Sequence, residues 1–290
     1  MARLRIVTAG AILALGALVA CGSSSGGSGA TTSTSTAAGV TSATVPLRHV
    51  PTGAATLAFD PSTRTLTVEV RLSGLAPNSV HPAHIHSGLC EKQGQVAYGL
   101  NNVQADGHGV ADTVTAVSNI KEAAIPDGAW YINVHNGPNL TPDAQFEPIV
   151  CGDIANPAKG EHLVVQLQSG PSPATPPSSP DQTASGTATL TIVSGALKVV
   201  LDVTGLKPSS AHAVHIHSGS CASQGAVVHP LPALMADASG HASLTTTVSN
   251  VSSIPTGVWY LNIHRTTAVT AGQTDFDPIL CGDIGGSSGY

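Results

Sequence analysis

Residues His81-Pro82-Ala83-His84-Ile85-His86-Ser87-Gly88-Leu89-Cys90 return as His212-Ala213-Val214-His215-Ile216-His217-Ser218-Gly219-Ser220-Cys221, each matched position 131 residues later (215 − 84). Later blocks repeat too: Trp130-Tyr131-Ile132-Asn133-Val134-His135 parallels Trp259-Tyr260-Leu261-Asn262-Ile263-His264, and Phe146-Glu147-Pro148-Ile149-Val150-Cys151-Gly152-Asp153 parallels Phe276-Asp277-Pro278-Ile279-Leu280-Cys281-Gly282-Asp283. A period this long is a whole domain and far exceeds a solenoid unit. The chain must therefore build one fold twice, and 290 residues suffice for two cores of ordinary size.

Within each copy the apolar period is two. Leu66, Val68, Val70 and Leu72 alternate with Thr67, Glu69 and Arg71, and Leu197, Val199, Leu201 and Val203 repeat the device. Such alternation marks half-buried strands. Further strands are expected over Ala54–Phe59, Ala83–His86, Val110–Val117, Trp130–His135 and Pro148–Ile154, with counterparts in the second copy and Gly, Pro, Asn and Asp turns between them. About seven short strands per copy and no helical pattern predict an all-β chain of two tandem antiparallel sandwiches. Aromatic residues are only 3% of the chain, so small β-branched side chains must fill the cores.

The N-terminus carries a different message. Arg3 and Arg5 precede an apolar run from Ile6 to Val19 that ends in Leu18-Val19-Ala20-Cys21. The run is short for a membrane span and has the form of an export signal. Its last four residues resemble a bacterial lipobox, which implies cleavage after residue 20 and lipidation of Cys21. Residues 21–46 begin with a Gly/Ser/Thr-rich stretch too polar to bury a core, and are expected to be a tether. The domains are then expected at 47–167 and 185–290, with a Pro/Ser-rich linker over 168–184 that should hold them apart. With a net charge of −6 and only 11 Lys plus Arg, the chain lacks the basic surface that nucleic acid requires. The expected partner is a membrane surface, reached through the lipid at the outer face of the cytoplasmic membrane or the periplasmic side. No protein partner or oligomeric state follows from the residues.

Setting Cys21 aside leaves Cys90 and Cys151 in one copy and Cys221 and Cys281 in the other. An even set divided equally in an exported protein points to one disulfide per domain. The rival, a zinc site of four cysteines, lacks C-x-x-C spacing.

The H-x-H-x-G stretch, the later W-Y-x-N-[VI]-H stretch and the closing strand together resemble the CHRD-domain family, over about residues 47–167 and 185–290. That family is similar to copper/zinc superoxide dismutase, a Greek-key β-sandwich. The resemblance implies that His84-Ile85-His86 corresponds to a copper strand, and that Cys90–Cys151 and Cys221–Cys281 are the disulfides. The departures are as plain. The stretch 91–109 offers only Asp106 and His108 where the enzyme has several zinc ligands, its copy offers His229, Asp237 and His241, and no arginine precedes Cys151 or Cys281.

What stays is a histidine triad per copy: His84, His86 and His135, then His215, His217 and His264, with His81 and His212 as extra candidates. Two histidines two apart on a strand share a face. Three imidazoles with an open position suit copper, with zinc as the alternative, at about one ion per domain. The other reading is that these rings only hydrogen-bond within a sandwich edge. Three function classes follow: a membrane-anchored, non-catalytic metal-binding protein; a metal-free interaction module; and a dismutase-like copper enzyme. The first is preferred, because the bridging histidine and the steering arginine are missing. Arg265, directly after His264, is the one cation placed to replace the latter, and no other group is expected to fix the ring orientations from behind.

Overall fold

The computed structural model describes residues 39–141, 143–169, 181, 183–270 and 272–285. The expected signal peptide, Cys21 and most of the tether and linker lie outside these residues. Sixteen strands form two eight-stranded antiparallel sheets. In chain order they are β1 (Ser42–His49), β2 (Thr52–Asp60), β3 (Thr65–Ser73), β4 (Ala83–Leu89), β5 (Lys92–Gly99), β6 (Ala111–Val117), β7 (Trp130–His135), β8 (Pro148–Ile154), β9 (His162–Gln168), β10 (Ser185–Val193), β11 (Ala196–Thr204), β12 (Ala211–Ser220), β13 (Ser223–Met235), β14 (Ala242–Val248), β15 (Trp259–His264) and β16 (Pro278–Ile284). One-turn helices α1 (Asp143–Phe146) and α2 (Gln273–Phe276) precede β8 and β16.

The first sheet runs β5-β4-β7-β8-β9-β2-β3-β6 and the second β13-β12-β15-β16-β1-β10-β11-β14. Each curls so that its two halves face one another as the layers of a sandwich. Alternation drives this: Leu66, Val68, Val70 and Leu72 on β3 are buried and pack with Leu57, Ile85, Ile132, Val134 and Leu167. In the second sheet Leu197, Val199, Leu201 and Val203 pack with Ile216, Leu261 and Ile263. The outward face of β3 is polar, and Arg71 there bridges Glu69 (2.6 Å) and Asp112 (3.0 Å). Exposed pairs of this kind add little stability.

Two expectations fail. Residues 42–46, read as tether, and 47–49, read as the start of the first domain, form β1, which lies in the second sheet between β16 and β10. Val45 and Leu47 are buried in the second core, as Val165 and Leu167 of β9 are in the first. Only Val50 and Pro51 separate β1 from β2 of the first sheet, so the two sandwiches cannot be held apart by the linker. Contacts between the copies agree. Gln224 sends its amide to the Leu75 carbonyl (2.8 Å), its backbone accepts from His108 Nδ1 (3.0 Å), and Arg265 pairs with Glu147 (3.0 Å). Composition could not reveal that the chain crosses between copies at residues 50 and 51.

Candidate metal centre

β4 places His84 and His86 on the outer face of the first sheet, with Ile85 between them fully buried in the core. β7 lies beside it in antiparallel register, Tyr131 opposite His86, Ile132 opposite Ile85 and Asn133 opposite His84. His135 ends that strand on the same face, two residues beyond Asn133. A register shift between Val134 and His135, where β7 meets β8, sets its position. Ring centroids are 5.6 Å apart for His84 and His86, 5.3 Å for His84 and His135, and 6.3 Å for His86 and His135. The second copy repeats this with His215, His217 and His264 at 5.5, 5.1 and 5.9 Å. In each triad one nitrogen per ring lies within 4.8 Å of the other two.

Backbone carbonyls set the tautomers. His86 Nδ1 donates to the Gly94 carbonyl at 3.0 Å and His217 Nδ1 to that of Gly225 at 3.0 Å. His135 Nδ1 donates to the Phe146 carbonyl and His264 Nδ1 to that of Phe276. With Nδ1 protonated, Nε2 of these four rings is left as a lone pair. His86 Nε2, His217 Nε2 and His84 Nδ1 are buried with no partner among the described residues. His215 Nδ1 instead lies 3.2 Å from His264 Nε2, a contact in which one proton is shared where a cation would sit. Carbonyls so placed would orient the imidazoles in the manner metal sites require. They overturn the expectation that nothing fixes the rings from behind.

Gly94 and Gly225 are glycines for a steric reason. A Cβ on Gly94 would sit 1.8 Å from the Ser87 carbonyl oxygen, and one on Gly225 would sit 2.3 Å from that of Ser218. Only glycine lets the β4–β5 and β12–β13 hairpins close tightly enough to bring those carbonyls to the rings. Tyr131 and Tyr260 stack on His86 and His217 at 5.0 Å, with interplanar angles of 18° and 21°. Tyr131 Oη also accepts the Gly94 N–H at 3.2 Å.

Burial favours the neutral form of His84, His135, His215, His217 and His264. Burial, opposed by the Phe146 carbonyl and reinforced by His84 and His86, holds His135 down at about 4. His264 is likewise lowered to about 4, by burial first and by His215 and His217 as well. Burial also lowers His84, His215 and His217. A neutral imidazole with a free lone pair is the ligand form. A donor set of three imidazole nitrogens suits Cu(II), Zn(II) or Ni(II).

The extra candidates do not join the triads. His81 is buried, its Nδ1 donating to the His135 carbonyl (2.9 Å) and its Nε2 bonded to the Ser79 hydroxyl (2.7 Å). His212 is held likewise by the His264 carbonyl (2.9 Å) and Ser210 (2.6 Å). Both brace the backbone of a triad histidine from behind. Arg265 is not free to act at the site either, since its guanidinium is committed to Glu147. The disulfides are Cys90–Cys151 and Cys221–Cys281, with Cα–Cα distances of 6.0 and 5.8 Å. Asp153 and Asp283 accept the N–H of Cys90 (2.6 Å) and of Cys221 (2.7 Å), which gives the repeated C-G-D stretch its purpose.

The fold and site thus define a tandem β-sandwich protein with one histidine triad on the outer face of each sheet. The CHRD domain profile matches residues 30–139 and 165–272, and the chain belongs to the CHRD-domain family, in two copies. No curated protein gives a significant match. Among solved structures the chain is similar to the clock protein EA4, at 19% identity over 36% of this chain and 87% of that one. The TM-score of 0.27 gives that likeness no weight here.

Proposed function

We propose that this is an exported lipoprotein whose two CHRD domains each bind one divalent transition-metal ion, copper in preference to zinc, without efficient catalysis. The observation that supports it best is the set of lone pairs. In each copy two rings give their Nδ1 protons to backbone carbonyls, so that their Nε2 atoms face the third ring inside a 4.8 Å cluster. A sandwich edge that needed histidines only for hydrogen bonding would not leave buried ring nitrogens unpartnered, because each such atom costs about 1–3 kcal/mol. A cation would remove that cost at His84, His86 and His217.

The triad residues would hold the ion, which would supply a Lewis-acidic or redox-active centre. The protein's own part is to fix ring orientation and to exclude protons from the ligand nitrogens. Poor dismutation follows from the absence, among the described residues, of any further histidine or carboxylate in either cluster and of an unpaired guanidinium beside it. Anchoring at Cys21 would place both sites outside the cytoplasm, where disulfides persist.

Full-length protein exported by its native host is analysed for copper and zinc and then titrated with Cu(II) after chelation. About two equivalents per chain are expected, falling to about one in His84→Ala/His86→Ala and in His215→Ala/His217→Ala. Retention of two equivalents in both variants would remove the site. A Cys21→Ser form is expected to leave the membrane fraction, and one that stays with unchanged N-terminal mass would refute the anchor.

A further inference from the structure

Asn133 and Asn262 are buried in the middle strand of each site, 2% and 0% exposed. Asn133 lies opposite His84 on one side and Cys151 on the other, and Asn262 lies opposite His215 and Cys281. Cross-strand partners share a face at about 5 Å. Each carboxamide therefore sits on the triad's face, between the first histidine and the disulfide, flanked along its own strand by the stacked tyrosine and the third histidine. Asn133 Oδ1, Asn262 Oδ1 and Asn262 Nδ2 have no hydrogen-bond partner among the described residues. The Nδ1 protons of His86, His135, His217 and His264 go to carbonyls and disulfide sulfurs donate nothing, so none of these groups supplies one. An apolar residue of the same shape would avoid the cost of an orphaned amide, yet both copies carry asparagine.

We propose that Asn133 and Asn262 hold a small exogenous ligand, water or an anion that competes with it, at the open position of each triad. The inference rests on the metal reading above. A carboxamide offers one donor group and one acceptor, which suits a water molecule that both gives and takes a hydrogen bond, and its N–H can equally donate to a small anion. In this role the asparagines position a ligand and do not bind the ion.

The test uses the full chain loaded with Cu(II) and azide as the probe, followed by the azide-to-copper charge-transfer absorption. Copper affinity is measured separately by titration. Asn133→Leu and Asn262→Leu are each expected to leave copper affinity within about threefold and to weaken azide at the affected site about tenfold, the loss of one hydrogen bond to a charged partner. Asn→Thr variants, which keep a donor, should fall between and decide the matter if a leucine variant does not fold. Azide affinity unchanged by the substitutions, with copper still bound, would overturn the role of the asparagines alone. No copper uptake by the wild-type chain would overturn the metal reading and this inference with it.

Discussion

At the scale of single residues, the sites depend on two glycines as much as on six histidines. Replacing Gly94 or Gly225 by alanine sets a Cβ against a backbone oxygen at 1.8 or 2.3 Å, which must push the hairpin away and take the carbonyl off His86 or His217. Loss of such an outer partner typically costs ten- to a hundredfold in metal affinity. Gly225→Ala is expected to show that loss at the second site while the first retains wild-type affinity in the same titration. Proton linkage is also a residue-scale matter. His81, His135 and His264 are each depressed to about 4 by burial, below their ordinary value near 6.5. The unfolded chain therefore binds more protons between those values, and the stability these rings contribute is fully present above about 6.5 and lost as pH falls toward 4. Asp277 acts the other way: burial raises it to about 7, so it favours the folded state at lower pH. With three histidines against one carboxyl, the metal-free protein should lose stability between pH 7 and pH 4.5. Urea midpoints that hold level or rise across that range would contradict this.

At the scale of strands and loops, much was legible. Alternation located β3 and β11, the doubled H-I-H placed two rings on one face, and the even cysteine count anticipated one bridge per copy. What stayed hidden was whatever the backbone contributes. The carbonyls of Gly94, Phe146, Gly225 and Phe276 leave no residue-type signature, although all four residues fall at matching places in the two copies and could have been sought there. His81 and His212 were ambiguous because their identity fits a ligand and a brace equally well. Only the partners, a serine hydroxyl and a triad histidine's own carbonyl, decide between the two. The bridges tie the residue after β4 to β8 and the residue after β12 to β16, closing loops of 61 and 60 residues. By the chain-entropy model each should contribute on the order of 4 kcal/mol. Cys90→Ala/Cys151→Ala is expected to lower stability by several kcal/mol in chemical denaturation, and a loss under about 1 kcal/mol would show that the bridge is incidental.

At the scale of the whole molecule, β1 crosses from the first copy into the second sheet. The family matches begin at 30 and 165, so that β1 opens the first sequence copy and β9 falls at the opening of the second. Yet β1 completes the second sheet and β9 the first. The two occupy equivalent places: a Cβ on Gly152 would strike Val165 and Leu167, and one on Gly282 would strike Val45 and Leu47. Sequence could not reveal the crossing of β1, because β1 and β9 show the same apolar alternation and either satisfies the same slot. A fragment of residues 185–290 is therefore expected to stay unfolded, with the place between β16 and β10 empty, and residues 39–285 to fold. A cooperative thermal transition in the shorter fragment would refute this.

The central claim, one metal ion per copy held by neutral imidazoles, is tested most directly by electron paramagnetic resonance of the full chain at two equivalents of Cu(II). The account predicts nitrogen superhyperfine structure from three imidazoles at both sites. In His84→Ala/His86→Ala and in His215→Ala/His217→Ala, half of that signal should vanish. A spectrum of loosely bound copper with oxygen ligands, unchanged by either pair of substitutions, would contradict it.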